Sequence, residues 1–486
     1  MSAAAGTDHD VAILGAGMSG LCMAIELQRA GITDFVILEK SAGIGGTWWD
    51  NRYPGAQVDV PAPAYSFSFA PNPHWTHRFA DAPEIQRYQQ RLAAQHGLLA
   101  RTRLGVAITE ARFDVDTGRW QLLLDNGERI NARFFACSTG ALSVGRWPDI
   151  PGLADFKGRL LHTARWPADA DLQGQRVGVI GTGSTAAQLV PAIAPAAARL
   201  SVFQRTANWV MPRADRRYGR LDRWLHRVPG YAALARRAWV QVLELGRRGF
   251  DDGTLARRLI TAAATAHLRR SVPDTALRER LTPTYPLGCK RVIYSNDYYA
   301  ALARPQTELV TAGIARVTAH GVLTDDGREH VLDTLVCATG FDTIRPLAGT
   351  RIEGLGGRLL SDAWRDGAQA YLGIAVAGFP NFFLMLGPNT ATGHTSTLLY
   401  IEPQVRHAIA CMQRVRHEGR RWIAVKPEVA AAHDAAQQQR LATSVWSQCR
   451  SWYRADNGRI VAIWPGFTAD YVKAVRRPNP AAYELA

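Results

Sequence analysis

At 486 residues the chain is too long for one ordinary hydrophobic core, so two or more domains are expected. Hydrophobic residues at 47% and charged residues at 20% are those of a soluble globular protein, and no run of about 18 uninterrupted apolar residues appears, which excludes an obvious spanning helix. The formal charge of +15 is carried mostly by arginine and brings no nucleic-acid motif with it.

Met1 to Asp10 lack an apolar core and a cleavage site, so no secretory signal is read there. Val11 to Leu14 is a short apolar run, followed by Gly15-Ala-Gly17-Met-Ser19-Gly20 and a helical pattern with Leu21, Ala24 and Ile25 on one face. Phe35 to Leu38 is a second apolar run ending in Glu39, 19 positions after Gly20. Strand, glycine turn, helix and acidic residue together make a dinucleotide-binding βαβ unit. Gly15 permits the tight turn, Gly17 lets the backbone approach a pyrophosphate, and Gly20 lets helix and strand pack closely. The helix N-terminus offers free N–H groups to phosphates. Glu39 would accept from ribose hydroxyls and repel a 2′-phosphate, so this site suits FAD or NAD.

The stretch from Gly45 to Asp59 holds Gly46, Thr47, Trp48, Trp49, Tyr53 and a Pro54-Gly55 pair, a contorted aromatic loop fit for a flat ligand. Taken alone, Asp59 reads equally well as a turn residue. A second unit starts at Arg176 to Ile180 and turns through Gly181-Thr-Gly183-Ser184-Thr185-Ala186 into a helix. Its next strand, Leu200 to Gln204, ends on Arg205 and Thr206 where the first unit has Glu39. A guanidinium matches phosphate oxygens bidentately, which selects the 2′-phosphate of NADPH; the alternative is a plain surface arginine. Phe134 to Gly140 and Leu335 to Gly340 echo one another as apolar strands ending in Thr-Gly, the points where each nucleotide domain hands the chain on.

Met211 to Leu281 lacks strand alternation and reads as a helical insertion crowded with arginine. Its basic face is expected to be solvated, with nucleic acid or a membrane surface as the other partners such a composition fits. Lys290-Arg291 alone reads as a surface basic pair, and Tyr371 to Leu386, broken by Pro380 and Asn381, as two buried strands. Cys22, Cys137, Cys289, Cys337, Cys411 and Cys449 lie far apart with no C-x-x-C pair. That spacing predicts no disulfide framework, fits a reducing cytoplasm, and argues against a flavin-disulfide reductase.

The segment Phe156-Lys-Gly-Arg-Leu-Leu-His162-Thr-Ala-Arg-Trp166-Pro167 resembles the signature of the Baeyer–Villiger monooxygenases at every fixed position. Gly46-Thr-Trp, Asn51 to Ala56, Leu287 to Arg291, Ala338 to Asp342 and Gly387-Pro-Asn389 also resemble motifs of that family, from Val11 to about Tyr471. The resemblance implies an α/β fold of two Rossmann-like dinucleotide-binding domains, with a helical insertion in the NADP domain. Expected boundaries are an FAD domain at 1–145, a linker at 146–169, an NADP domain at 170–212 and 282–340, the insertion at 213–281, and a second FAD part with the C-terminal region at 341–486. It implies FAD and NADPH as cofactors, and O2 and a ketone as substrates. One oxygen atom would be inserted beside the carbonyl through a C4a-peroxyflavin, giving an ester or lactone. N- or S-oxygenation is the competing activity.

By the same resemblance Arg291 is the active-site arginine, Asp59 its partner, and Lys290 a second holder of the 2′-phosphate. Gly46, Thr47, Trp48, Tyr65 and Asn389 join the flavin site. Trp452 is similar to the tryptophan that closes over the nicotinamide, with Trp464 as rival. His162 is assigned to domain coupling. Val60 to Phe69 resembles the aryl-ketone branch typified by 4-hydroxyacetophenone monooxygenase.

Overall fold

The computed structural model describes residues 7–342, 347 and 349–486; Met1 to Gly6, part of the stretch read for a leader, lie outside the described residues. β1 (Thr7–Leu14) is buried over its last four residues, as a central strand covered on both faces must be. It pairs in parallel with β2 (Phe35–Glu39), Val11 opposite Phe35, and with the strand Arg129–Cys137, Leu14 opposite Cys137. Five further strands complete an eight-stranded sheet. The crossover helix α1 (Met18–Arg29) is buried on more than the one face its pattern predicts, because the helix Leu398–His417 packs against it from the far end of the chain. The C-terminal part thus returns to the first domain.

The second sheet is wholly parallel, in the order Thr307–Val310, Arg199–Phe203, Arg176–Ile180, Thr334–Cys337 and Arg159–His162. Its last strand comes from the signature segment, with Leu161 opposite Val336 and His162 opposite Cys337. Four residues of the expected linker are therefore an edge strand, which buries Leu161 and partly covers Leu160.

The insertion is helical over Arg220–Leu225, Tyr231–Gly246, Leu255–Ser271 and Thr275–Arg280. Strands Val210–Met211 and Ile293–Tyr294 pair in parallel at its base, so the chain enters and leaves the helical stretch at one point.

Two expectations are corrected. Of the stretch from Tyr371 to Leu386 only Phe382–Leu384 is a strand; Leu372, Asn381 and Leu386 take left-handed backbone conformations, φ 53°, 54° and 55°, that interrupt pairing. A disulfide joins Cys289 to Cys449 across 160 residues, with Cα atoms 6.1 Å apart. Tertiary folding, not spacing, brings these two together, so the cysteine pattern no longer argues for a reducing compartment. Among the described residues no helix is long and apolar enough to cross a membrane.

Candidate functional site

The two glycine fingerprints are built alike. Gly15 has φ +100° and Gly181 φ +117°, conformations natural only to glycine, and a Cβ on either would meet the carbonyl of Ser138 or Ala338. Those carbonyls follow the two echoing strands, so the echo marks one arrangement used twice. Gly17 and Gly183 stand at the N-caps of their helices with no side chain capping the free N–H groups. A Cβ on Gly183 would meet nothing, leaving that helix end, with Ser184, Thr185 and Ala186 in its first turn, open to a ligand. Ser19 is buried within the first turn of α1.

Around the first fingerprint, Glu39 is buried, and its two oxygens accept from the N–H groups of Ala16 (2.7 Å) and Ser41 (2.8 Å). Each oxygen keeps a lone pair for a ribose hydroxyl. Gly46, φ +54°, lies so close to Gly17 that its Cβ would come within 2.9 Å of that Cα. The Gly45-Gly46 turn therefore roofs the fingerprint at backbone distance, and Thr47–Asp50 forms a short helix after it. Trp48 Nε1 donates to Tyr65 Oη at 3.1 Å with the rings edge-on, and burial pushes the Tyr65 phenol up to about 12. A glycine turn at backbone distance, an aromatic pair and a buried carboxylate thus stand around the first fingerprint, a set of residues that fits FAD.

At the second fingerprint Arg205 is exposed just beyond the strand Arg199–Phe203, with Thr206 beside it accepting at its carbonyl from Thr182 Oγ1 (3.0 Å). Burial and the nearby Arg205 guanidinium push the Lys290 ammonium below its usual range. Among the described residues neither cation has a carboxylate partner. Two like charges brought together without a counterion form a ready anion site, and it fits a 2′-phosphate.

Arg291 and Asp59, 232 positions apart, form a bidentate pair, Nε to Oδ2 and Nη2 to Oδ1, both 2.9 Å. Nη1 donates to the Thr392 carbonyl at 3.0 Å. Asp59 raises the Arg291 pKa further against the pull of burial, so the guanidinium is permanently charged. Of its five N–H donors three are thus engaged, and two remain for a ligand, with the side chain 27% exposed.

His162 is buried, and burial holds its imidazole below the usual range. Its ring nitrogens face the Ala164 N–H (3.1 Å) and the Arg146 carbonyl (3.2 Å). Arg146 N–H donates to the Gly340 carbonyl and Asp342 N–H to that of Val144, so the chain segments at 144–146 and 340–342 bridge beside His162. Asn389, φ 56°, spends its amide on the Ile460 and Ile463 carbonyls, tying the Gly387 turn to the C-terminal segment. Trp464 is buried, donates to the Phe467 carbonyl and stacks edge-on with Tyr471, whereas Trp452 is 38% exposed beside Tyr453.

Sequence reasoning missed three elements. Gln188, on the second fingerprint's helix, accepts from Tyr53 Oη (2.8 Å) and donates to the Gln57 carbonyl (3.0 Å), clamping the loop at 45–59 to that helix. Thr392 supplies a carbonyl, which no side-chain pattern reveals. Beside it His394 Nε2 pairs with Glu244 Oε1 of the insertion at 3.1 Å, and Glu244 also accepts from Thr468 N–H. Burial would raise the Glu244 carboxyl, but the bonds from His394 and Thr468 outweigh it and hold it below its usual range. A carboxylate inside an arginine-rich helix was the only available hint.

Residues 8–227 match the model of the flavin-binding monooxygenase-like family. A Baeyer–Villiger monooxygenase of Streptomyces coelicolor is 39% identical over 98% of this chain and 92% of its own length. One of Pseudomonas aeruginosa is 38% identical over 98% and 91%. Among solved structures, an oxidized steroid monooxygenase bound to NADP superposes with TM-score 0.87 at 30% identity, covering 99% of both chains. The closed form of a cyclohexanone monooxygenase gives 0.88 at 27%, over 99% of this chain and 100% of that one. With its paired nucleotide cradles and full-length likeness to these relatives, the chain belongs to the Baeyer–Villiger monooxygenases.

Proposed function

We propose that this enzyme binds FAD at the first fingerprint and NADPH at the second, and uses O2 to convert a ketone into an ester or lactone. The observation that carries the reading is the Arg291–Asp59 pair, which leaves two uncommitted N–H donors on a side chain still partly exposed. Bound flavin supplies the activation of O2 with electrons drawn from NADPH. The chain's own residues supply position and charge.

FAD is held by Gly15, Gly17, Ser19, Gly20 and Glu39, roofed by Gly46, Thr47 and Trp48, with Tyr65, Asp59 and Asn389 around it. NADPH is held by Gly181, Gly183, Ser184, Thr185 and Ala186, with Arg205, Thr206 and Lys290 on the 2′-phosphate and Trp452 covering the nicotinamide side. Trp452 suits that role better than Trp464, which the core holds. Arg291 stabilises negative charge as oxygen attacks the ketone carbonyl, and Asp59 orients it. The domain division is proposed as the sequence reads it, except that the pairing of Arg159–His162 with Thr334–Cys337 favours joining that part of the linker to the NADP domain.

Arg205→Ser should raise the NADPH KM by roughly 10- to 100-fold, the worth of a hydrogen bond to a charged group, and leave that for NADH unchanged. Steady-state kinetics with both nucleotides checks this; a parallel rise for NADH would place Arg205 elsewhere. Glu244→Gln should lower kcat for ester formation by roughly tenfold with the NADPH KM unmoved, since it loosens His394 and the Thr392 carbonyl behind Arg291. An altered NADPH KM would point to general misfolding. N- or S-oxygenation is tested by offering a ketone and a sulfide side by side: ester as the main product supports the proposal, sulfoxide alone defeats it.

A further inference from the structure

Residues 213–281 carry sixteen arginines against five aspartates and two glutamates, so this insertion holds a net +9 of the chain's +15. The expected solvated basic face would leave its apolar residues inside. Several point outward. Leu221, Trp224, Leu234, Leu245, Leu255 and Leu259 are between 61% and 69% exposed, and among the described residues they are the most exposed large hydrophobics of the chain.

Their spacing follows the helices. On Tyr231–Gly246 the outer stripe runs Leu234, Ala238, Val242, Leu245, with Arg237 and Arg248 also exposed. The opposite face is fixed to the protein, because Arg236 donates to Glu402 at 3.1 Å and Glu244 pairs with His394 at 3.1 Å. On Leu255–Ser271 the outer stripe is Leu255, Leu259, Ala262, while Ala264 and Leu268 are buried. Arg257, Arg258, Arg269 and Arg270 line a shallow depression along the same helix.

A partner must suit both features. The outer stripes of the two long helices are leucine, valine and alanine, with no aromatic ring to stack on a base, which disfavours nucleic acid. A second copy meeting this face isologously would set its exposed arginines, Arg237, Arg248, Arg258 and Arg270, against their own counterparts. Amphipathic helices with arginines flanking an apolar stripe match the boundary of an anionic bilayer, where the apolar side chains enter the headgroup region and the guanidiniums meet lipid phosphates. We propose that the helical insertion docks the enzyme on an anionic lipid surface through Leu234, Val242, Leu245, Leu255 and Leu259, with Arg237, Arg248, Arg258 and Arg270 at the phosphates.

The test is co-sedimentation of the FAD-loaded enzyme with vesicles of phosphatidylcholine alone or mixed with phosphatidylglycerol. Binding is expected on the mixed vesicles only, weakening as salt screens the charges. The triple variant Leu234→Gln, Val242→Gln, Leu245→Gln and the quadruple variant Arg237→Gln, Arg248→Gln, Arg258→Gln, Arg270→Gln should each lower the partition coefficient by roughly tenfold or more. Both variants should keep the wild-type flavin spectrum and activity on a water-soluble ketone, since these residues lie outside the proposed site. Wild-type enzyme left in the supernatant, equal binding to neutral vesicles, or unchanged binding by the triple variant would overturn the proposal. So would a solution dimer that the triple variant dissociates.

Discussion

Arg291→Ala is expected to leave reduction of the bound flavin by NADPH intact and to abolish ester formation. The guanidinium is charged at every working pH, held by two bonds to Asp59 and one to the Thr392 carbonyl. Its two remaining donors are the group best placed to meet charge that develops on oxygen. A unit-charge contact near 4 Å is worth about 4 kcal/mol at an effective dielectric of about 20, or about a thousandfold in rate. Stopped-flow bleaching of the flavin on adding NADPH should therefore look normal, while ester yield falls about a thousandfold and hydrogen peroxide appears in its place. Arg291→Lys should not rescue the loss, because one ammonium cannot keep the bidentate pair, the carbonyl bond and two free donors together. Ester formation at the wild-type rate in Arg291→Ala would remove this residue from the chemistry.

Gly20→Ala should cost the enzyme its flavin. A Cβ at this position drives into the Gly15 carbonyl, and Gly15 cannot retreat because the Ser138 carbonyl already lies against it. The clash is between backbone and backbone, so no side-chain rotation relieves it. A loss above about 4 kcal/mol, the range of severe core mutations, is expected, with FAD occupancy falling below about a tenth of wild type. The ratio of flavin to protein absorbance and the melting temperature report both effects. Gly183→Ala makes the informative contrast, since a Cβ there meets no protein atom. It should fold and hold FAD normally yet bind NADPH more weakly, because the added methyl stands where the pyrophosphate approaches. Equal damage from both substitutions would contradict the division of roles.

What the sequence revealed was what is local. Each fingerprint packs strand, turn, helix and charge reader into about thirty residues, so its chemistry is legible in order, and Glu39 against Arg205 distinguishes the two sites. Asp59 and Arg291 are unremarkable singly, a turn residue and a basic pair. Their meaning came from family resemblance and became physical once the fold set them 2.9 Å apart. The Thr392 carbonyl, the Gln188 clamp and the Glu244–His394 pair have no such signature, because each depends on contacts across 100 or more positions. The Cys289–Cys449 bridge escaped for the same reason. The stretch from Tyr371 to Leu386 misled because apolar composition alone cannot announce a left-handed turn at Leu372 or Leu386.

Incubation of the FAD-loaded enzyme with NADPH, isotopically heavy O2 and a panel of ketones, followed by mass detection, addresses the proposed chemistry itself. The expected product is an ester or lactone carrying a single heavy oxygen in the newly formed C–O–C link, in step with NADPH consumed. NADPH oxidation that yields only hydrogen peroxide across the panel, or an ester without the heavy atom, would contradict it.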